Sequence, residues 1–149
     1  MYKCILVPTD GSPLSHKAAK KAVQLAKEQN AKVVGLYVAP AYRVSVFEES
    51  FVPADFMTPQ QYAARTKKAA QKHLDFIKKA ADQAGVACTL AHAASEFPYM
   101  EIVKAAQRHR CDLIFMASHG RRGLSRLLLG SETSKVLAHS RIPVLVHRA

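Results

Sequence analysis

The chain has 149 residues, of which 49% are hydrophobic and 22% are charged, which is the composition of an ordinary globular protein large enough to bury a core. This length suits one domain spanning residues 1–149, and no apolar run approaches the length that crosses a bilayer. The net charge of +11 raises the question of an anionic partner, either a nucleotide, a nucleic acid or a membrane surface. Six basic residues between positions 65 and 79 are expected on the outer face of one helix, which favours a solvated face over a nucleic-acid surface.

The three cysteines, Cys4, Cys88 and Cys111, lie at or beside apolar runs, and none are paired at CxxC spacing. We therefore expect buried free thiols in a reducing compartment, and neither a metal site nor a redox pair. The first residues lack the architecture of a signal peptide, so a cytoplasmic protein without a membrane partner is predicted.

The first elements follow from an apolar run and two helix signals. Residues 4–7 predict a central strand buried on both faces, which Pro8 is expected to end. After a turn at residues 9–12, Ser12 and Pro13 indicate an N-cap and a first helical position. This helix is predicted to end near Asn30, and residues 33–38 form the second strand.

The middle of the chain contains one long loop and one long helix. Residues 39–57 show no period and predict a surface loop or a lid. Thr58 with Gln61 is typical of a capping box, so a helix begins at Pro59 and continues to a stop at Gly85. Its predicted buried positions are Ala63, Ala70, Leu74, Ile77 and Ala81. Residues 86–90 are predicted to form the third strand.

The last third of the chain repeats the alternation. Pro98 opens a helix with Ile102, Val103 and Ala106 predicted inward. Residues 112–118 predict the fourth strand, residues 131–139 a fourth helix, and residues 142–146 a short last strand.

This alternation predicts an α/β fold, a parallel sheet covered by helices on both faces. In such sheets a ligand lies beyond the carboxyl ends of the strands, where the strand order reverses. Polar, glycine-containing turns follow two predicted strands, at residues 9–12 and 118–120. A helix N-terminus at Gly130 and Ser131 follows the second turn, so this region is suited to holding a phosphate.

These segments resemble the universal stress proteins, specifically their ATP-binding type. The similarity covers essentially the whole chain, through residues 5–12, 111–114, 118–123, 129–131 and 142–146. The family's nucleotide motif is Gly, two residues, Gly, nine residues, Gly, then Ser or Thr. Gly120, Gly130 and Ser131 match it, but Ala117 occupies the position of the first glycine.

The resemblance implies a single five-stranded sheet in the order 3-2-1-4-5 and a crevice for ATP, with Mg²⁺, at the ends of strands 1 and 4. It also implies a homodimer through the last strand, with Val144, Leu145 and Val146 at the interface. An apolar edge strand would otherwise be an aggregation liability, which is consistent with that expectation. The implied function is a nucleotide-dependent stress regulator that contacts an unidentified protein partner.

The same resemblance gives expected roles to individual residues. The Asp10 carboxylate would bind the ribose or the adenine edge, or alternatively would only shape an Asx turn around Gly11. The other residues expected near the base and sugar are Pro8, Thr9, Val38, Met116 and Ala117. The residues expected at the phosphates are His119, Gly120, Arg121, Arg122, Gly130, Ser131 and Thr133. Glu132 is unfavourable beside a triphosphate unless it points outward or helps to hold Mg²⁺.

No enzyme motif accompanies this site in the sequence. There is no Walker motif, GxGxxG, GxSxG or HExxH, and we identify no residue as a catalytic base. Nucleotide binding is therefore favoured over turnover. The alternatives are a family member that binds no nucleotide and acts by dimerisation, and a slow ATPase.

Overall fold

The computed structural model describes residues 1–43, 57–121 and 128–148. Most of the predicted loop at 39–57, and Arg122, lie outside the described residues. Strands and helices alternate as β1 (Cys4–Thr9), α1 (Pro13–Gln29), β2 (Lys32–Ala39), α2 (Pro59–Ala84), β3 (Cys88–Ala94), α3 (Pro98–Arg108), β4 (Leu113–Ala117), α4 (Ser131–His139) and β5 (Val144–His147). The five strands are parallel in the order β3-β2-β1-β4-β5, which confirms the predicted fold.

Helices cover both faces of the sheet, and each face has its own apolar core. Ile5 and Val7 of β1 belong to the core beneath α1 and α2, whereas Cys4 and Leu6 belong to the core beneath α3 and α4. Successive side chains of a strand point to opposite faces, so a continuous apolar run such as 4–7 fills both cores.

The helix boundaries follow from local capping. The Ser12 hydroxyl accepts a hydrogen bond from the Ser15 N–H at 3.2 Å, and α1 ends at Asn30 in the left-handed conformation. Thr58 and Gln61 form the predicted capping box at the start of α2. Gly85 ends α2 with a φ of +70°, which lies in the left-handed region that favours glycine.

Several strand boundaries differ from the sequence prediction, and three of the differences have a local explanation. β1 continues through Pro8 to Thr9, where it is still paired with β2. Pro8 has no N–H to donate, but the ladder between β1 and β4 already stops at the pair Leu6–Ile114, so no hydrogen bond to β4 is lost. β3 begins at Cys88, since the Val86 N–H instead closes the end of α2 by donating to the Ala81 carbonyl at 2.9 Å. β5 begins at Val144, because a turn closed by the Ser140 hydroxyl includes Ile142.

Some predicted buried positions are also wrong. On α2, Ala63 is exposed and Thr66 is buried instead; on α3, Val103 is partly exposed while Ala105 is buried. Cys88 is only half-buried. Among the described residues, no helix has the length and apolarity needed to cross a membrane.

Candidate functional site

The two polar turns lie beside each other at the carboxyl ends of β1 and β4. These strands are neighbours in the sheet, yet their ladder comprises only the pairs Ile5–Leu113 and Leu6–Ile114. Chain order reverses between them, since β2 and β3 lie on one side and β5 on the other. This is the position at which open parallel sheets form a ligand crevice.

The Asp10 carboxylate joins the two turns. Its Oδ1 accepts a hydrogen bond from the Ser12 N–H at 2.9 Å, and its Oδ2 accepts one from the Arg121 N–H at 2.9 Å. Burial acts to raise the pKa of Asp10, but the hydrogen bonds from Ser12, Arg121 and Ser15 together lower that pKa below its ordinary value. The Asx turn considered from the sequence is therefore present, and the same carboxylate also holds the turn after β4.

Gly120 lies directly against this carboxylate. A Cβ atom built on Gly120 would be 2.3 Å from Asp10 Oδ2, a separation that real structures do not allow. Gly120 does not have a positive φ, so its backbone conformation does not require glycine. Glycine is required because the Asp10 carboxylate lies too close to leave room for a side chain.

Gly130 holds the start of α4 against the end of β4. Its N–H donates to the Ser118 carbonyl at 2.7 Å, and an added Cβ would lie 3.1 Å from the His119 Cα. The Gly130 N–H is thus already bonded within the protein. α1 and α2 each have a side-chain cap, but no side chain in the described part of the chain caps α4. The amides in the first turn of α4, from Ser131 onward, are therefore uncapped at the crevice end of the sheet.

The next two residues of α4 have structural partners. Glu132 Oε2 accepts a hydrogen bond of 2.9 Å from the Tyr99 N–H, so its charge is directed to the N-terminus of α3. The Thr133 hydroxyl is buried and donates to the Ala117 carbonyl at 2.9 Å. Glu132 therefore points away from the start of its own helix.

Ala117, at the motif position expected for glycine, packs against the α1/α2 core. Met116 and Val38 belong to or pack on the opposite core, beneath α3 and α4. The methyl group of Ala117 is therefore directed away from the face that Val38 and Met116 share. Met116 is almost fully buried, whereas Pro8 and Val38 are half-buried at the carboxyl ends of their strands.

Thr9 and His119 are hydrogen-bonded to neighbouring residues. The buried Thr9 hydroxyl lies 3.0 Å from the Ser15 hydroxyl and accepts from the Gly11 N–H, which ties it to α1. His119 Nδ1 lies 3.1 Å from the Ser118 hydroxyl, and the ring is half-exposed.

His73 of α2 is a residue of this site that the sequence prediction missed. Its Nε2 lies 3.4 Å from Arg121 Nη2, its ring packs at 5.1 Å from that of Tyr37, and it covers Gly11. Partial burial and the neighbouring Arg121 and Lys72 lower the pKa of His73. The only sequence signal is its position three residues after the buried Ala70, on the side of α2 that faces the sheet.

Comparison with known proteins identifies relatives along the full chain. The family model of the universal stress protein family matches residues 1–148. Universal stress protein MJ0531 of Methanocaldococcus jannaschii is 37% identical over 146 residues, covering 98% of this chain and 82% of that protein. Universal stress protein YxiE of Bacillus subtilis is 35% identical over 151 residues, covering 99% of this chain and 100% of that protein.

Solved structures agree with the fold. The structure of MJ0577 from Methanocaldococcus jannaschii superposes with a TM-score of 0.82 at 30% identity, covering 100% of this chain and 97% of that one. A universal stress protein in complex with cAMP has a TM-score of 0.65 at 23% identity, covering 99% and 97% of the two chains. One from Archaeoglobus fulgidus in complex with dAMP has a TM-score of 0.64 at 16% identity, covering 97% of each chain. The chain therefore belongs to the universal stress protein family.

Proposed function

We propose that this protein binds an adenine nucleotide, ATP, in the crevice at the carboxyl ends of β1 and β4. The observation that carries the proposal is the uncapped N-terminus of α4, which Gly130 holds against the turn at Ser118 and His119. Unpaired amides and the positive end of the helix dipole favour a phosphate at this position. Family membership and the adenine nucleotides of the cAMP and dAMP complexes make adenine the base to test.

The phosphates would bind the N–H and hydroxyl of Ser131, with Arg121, which follows the turn after β4, as one candidate cation and Arg122 as a second. His119 and Gly120 would border them. Because the Gly130 N–H is already bonded to Ser118, Gly130 would act by positioning α4 and not as a donor. Thr133 would likewise hold α4 on β4 through the Ala117 carbonyl. Mg²⁺ would accompany the triphosphate, with Glu132 outside its coordination because that carboxylate caps α3.

The base and ribose would lie toward β1 and β2. The Asp10 carboxylate would accept from ribose hydroxyls or from the adenine edge, and Pro8 and Val38 offer half-buried apolar surface. Met116, Ala117 and Thr9 would support this surface from beneath. We infer binding linked to regulation and not turnover, since Asp10, the carboxylate nearest the crevice, already accepts two backbone hydrogen bonds and has a lowered pKa, unlike a general base.

The regulatory proposal includes a homodimer through β5. Within the described part of the chain, β5 is an edge strand that pairs with β4 alone, and Leu145 is 38% exposed while Val144 and Val146 are half-buried. A second copy would cover this apolar edge. The proposal also retains a cytoplasmic location, a single domain and an unidentified protein partner, whose contact surface ATP occupancy would change.

The decisive experiment compares Ser131→Asp with Ser131→Asn by isothermal calorimetry and thermal unfolding, with and without ATP and Mg²⁺. A carboxylate in the first turn of α4 stabilises the helix by about 0.3–1 kcal/mol but repels a phosphate. Asn has a similar shape and no charge. We expect Ser131→Asp to unfold at a temperature equal to or above that of the wild type while losing ATP affinity, and Ser131→Asn to keep most of that affinity.

A ligand at 100 times its dissociation constant stabilises a native protein by about 2.7 kcal/mol, so saturating ATP should raise the midpoint of the wild type clearly. Equal ATP affinity in the two variants would remove the α4 terminus from the site. Absence of any shift at millimolar ATP would instead favour the family member that acts by dimerisation alone. Phosphate release that scales with protein concentration and is lost in Ser131→Asp would support the slow ATPase.

A further inference from the structure

Two buried thiols lie together at the end of the sheet opposite the crevice. The Sγ atoms of Cys4, the first residue of β1, and Cys111, just before β4, are 3.0 Å apart. Their exposed fractions are 2% and 5%. A disulfide has an S–S length of about 2.05 Å, so an approach of about 1 Å would join these sulfurs. The sequence prediction of no redox pair missed this contact, because the two residues are 107 positions apart.

Hydrogen bonds of the surrounding backbone hold the two residues close together. The Asp112 carboxylate accepts hydrogen bonds from the N–H groups of Lys3 and Cys4, and the Asp112 N–H donates to the Cys4 carbonyl at 2.9 Å. Asp112 therefore lies opposite Cys4, and Cys111 precedes Asp112 by one residue, in a diagonal position relative to Cys4. With strands about 4.8 Å apart and a rise of about 3.3 Å per residue, their Cα atoms are about 6 Å apart, within the range that disulfides bridge.

We propose that Cys4 and Cys111 form an intramolecular disulfide when the protein meets a hydroperoxide. One sulfur attacks the peroxide O–O bond and becomes a sulfenic acid, releasing water from hydrogen peroxide. The second sulfur, in contact with the first, attacks the sulfenic sulfur and expels the second water. The two thiols together lose two protons and two electrons, and the peroxide takes these up and is reduced to two molecules of water.

The disulfide would join the two strands that carry the crevice. The β1–β4 ladder has two residue pairs, against six between β1 and β2 and four between β4 and β5. A covalent bond at its base would compensate for this short ladder without touching Asp10 or Gly120 at the other end. Desolvation raises the pKa of the Cys111 thiol, so the reaction should be slow at neutral pH and faster at higher pH.

The test uses the full chain with Cys88→Ser, Cys4→Ala and Cys111→Ala as separate changes. Each reduced protein is treated with hydrogen peroxide at pH 7 and pH 8.5, alkylated under denaturing conditions, and analysed by intact mass and non-reducing peptide mapping. Cys88, which is half-buried on edge strand β3, serves as the internal control thiol.

In wild type and in Cys88→Ser we expect Cys4 and Cys111 to lose two hydrogens and to escape alkylation, to yield a Cys4–Cys111 cross-linked peptide, and to react faster at pH 8.5. Oxidised Cys88→Ser should also unfold at a higher temperature, a shift that a reductant reverses. The proposal is overturned if Cys4 and Cys111 are both recovered alkylated when Cys88 has reacted, if they gain oxygen without joining, or if the cross-link connects two chains. The variants Cys4→Ala and Cys111→Ala only verify the assignment, so a folding defect in either leaves the Cys88→Ser result decisive.

Discussion

The Asp10 carboxylate accepts a hydrogen bond of 2.9 Å from the N–H of Arg121, which lies 111 residues further along the chain. The same carboxylate accepts from the Ser12 N–H, so one side chain fixes the turn after β1 and the turn after β4. The proposed nucleotide crevice therefore depends on an interaction within the protein as much as on groups available to a ligand.

Replacing Asp10 by Asn should destabilise the protein and weaken nucleotide binding. The amide oxygen can replace one acceptor, but the amide N–H₂ would face a backbone donor, leaving an unsatisfied bond that costs about 1–3 kcal/mol. Urea unfolding at neutral pH measures this loss. Asp75→Asn is the matched control, because the Asp75–Lys79 pair at 2.8 Å is largely exposed and contributes little. Equal stability losses in the two variants would contradict the prediction.

The stability provided by Asp10 should disappear in acid. Its folded-state pKa is below the ordinary 3.8, so the stabilisation is full above the unfolded pKa and is lost as the pH falls through the lower folded value. We therefore expect the stability difference between wild type and Asp10→Asn to be constant above about pH 5 and to shrink below it. Urea unfolding from pH 6 to pH 3 tests this, and a difference that grows in acid would show the opposite linkage.

His73 should produce a second, separate pH dependence. Desolvation lowers its pKa, as do Arg121, Lys72 and His16, while Asp10 acts to raise it, and the net value lies below 6.5. The neutral ring is thus favoured by folding, and wild type should lose stability as the pH falls below 6.5 toward the folded pKa. His73→Gln, which keeps an acceptor for Arg121, should lack this loss. His92→Gln, at an exposed position on β3, should still lose stability below pH 6.5. If the two variants show the same dependence of stability on pH, His73 is not the origin of the loss.

Gly120→Ala should reduce the stability of the protein more than replacement of a glycine that has free space around it. Its Cβ would overlap Asp10 Oδ2, so the carboxylate must move and its hydrogen bond to Arg121 must weaken, at about 1–3 kcal/mol. Gly85→Ala is the comparison, because its Cβ meets no atom within 4 Å but its φ is +70°. That variant should lose about 1 kcal/mol through backbone strain alone and keep ATP affinity. Thermal unfolding and calorimetry on both variants separate strain from displacement of Asp10.

Glu132→Ala should destabilise α3 without reducing ATP affinity. The N-cap of α3 is Phe97, which supplies no side-chain hydrogen bond, so the Glu132 carboxylate supplies that acceptor from α4. Losing a cap costs about 1 kcal/mol. Glu132→Gln keeps an acceptor and should recover part of this stability. Weaker ATP binding in both variants, measured by calorimetry, would instead indicate that Glu132 helps to hold the nucleotide or its Mg²⁺.

The sequence determined the order of elements and the helix boundaries because their signals are local. Ser12 with Pro13, the Thr58–Gln61 capping box and Gly85 act on amides and carbonyls within one turn, and the structure has each as predicted. The apolar runs and the family motifs likewise located the strands, but not their exact ends, and the polar turns that border the crevice. The α/β alternation then leaves few topologies, since parallel crossovers are right-handed.

Tertiary structure decided which residues meet. Strand pairing extends β1 past Pro8, and the hydrogen bond from Val86 to the end of α2 delays the start of β3. Helix packing buries Thr66 in place of Ala63. The contacts of His73 with Arg121, of Glu132 with Tyr99 and of Cys4 with Cys111 join residues 33 to 107 positions apart. No local propensity encodes such contacts, because they arise only when the sheet brings distant strand ends and helix termini together.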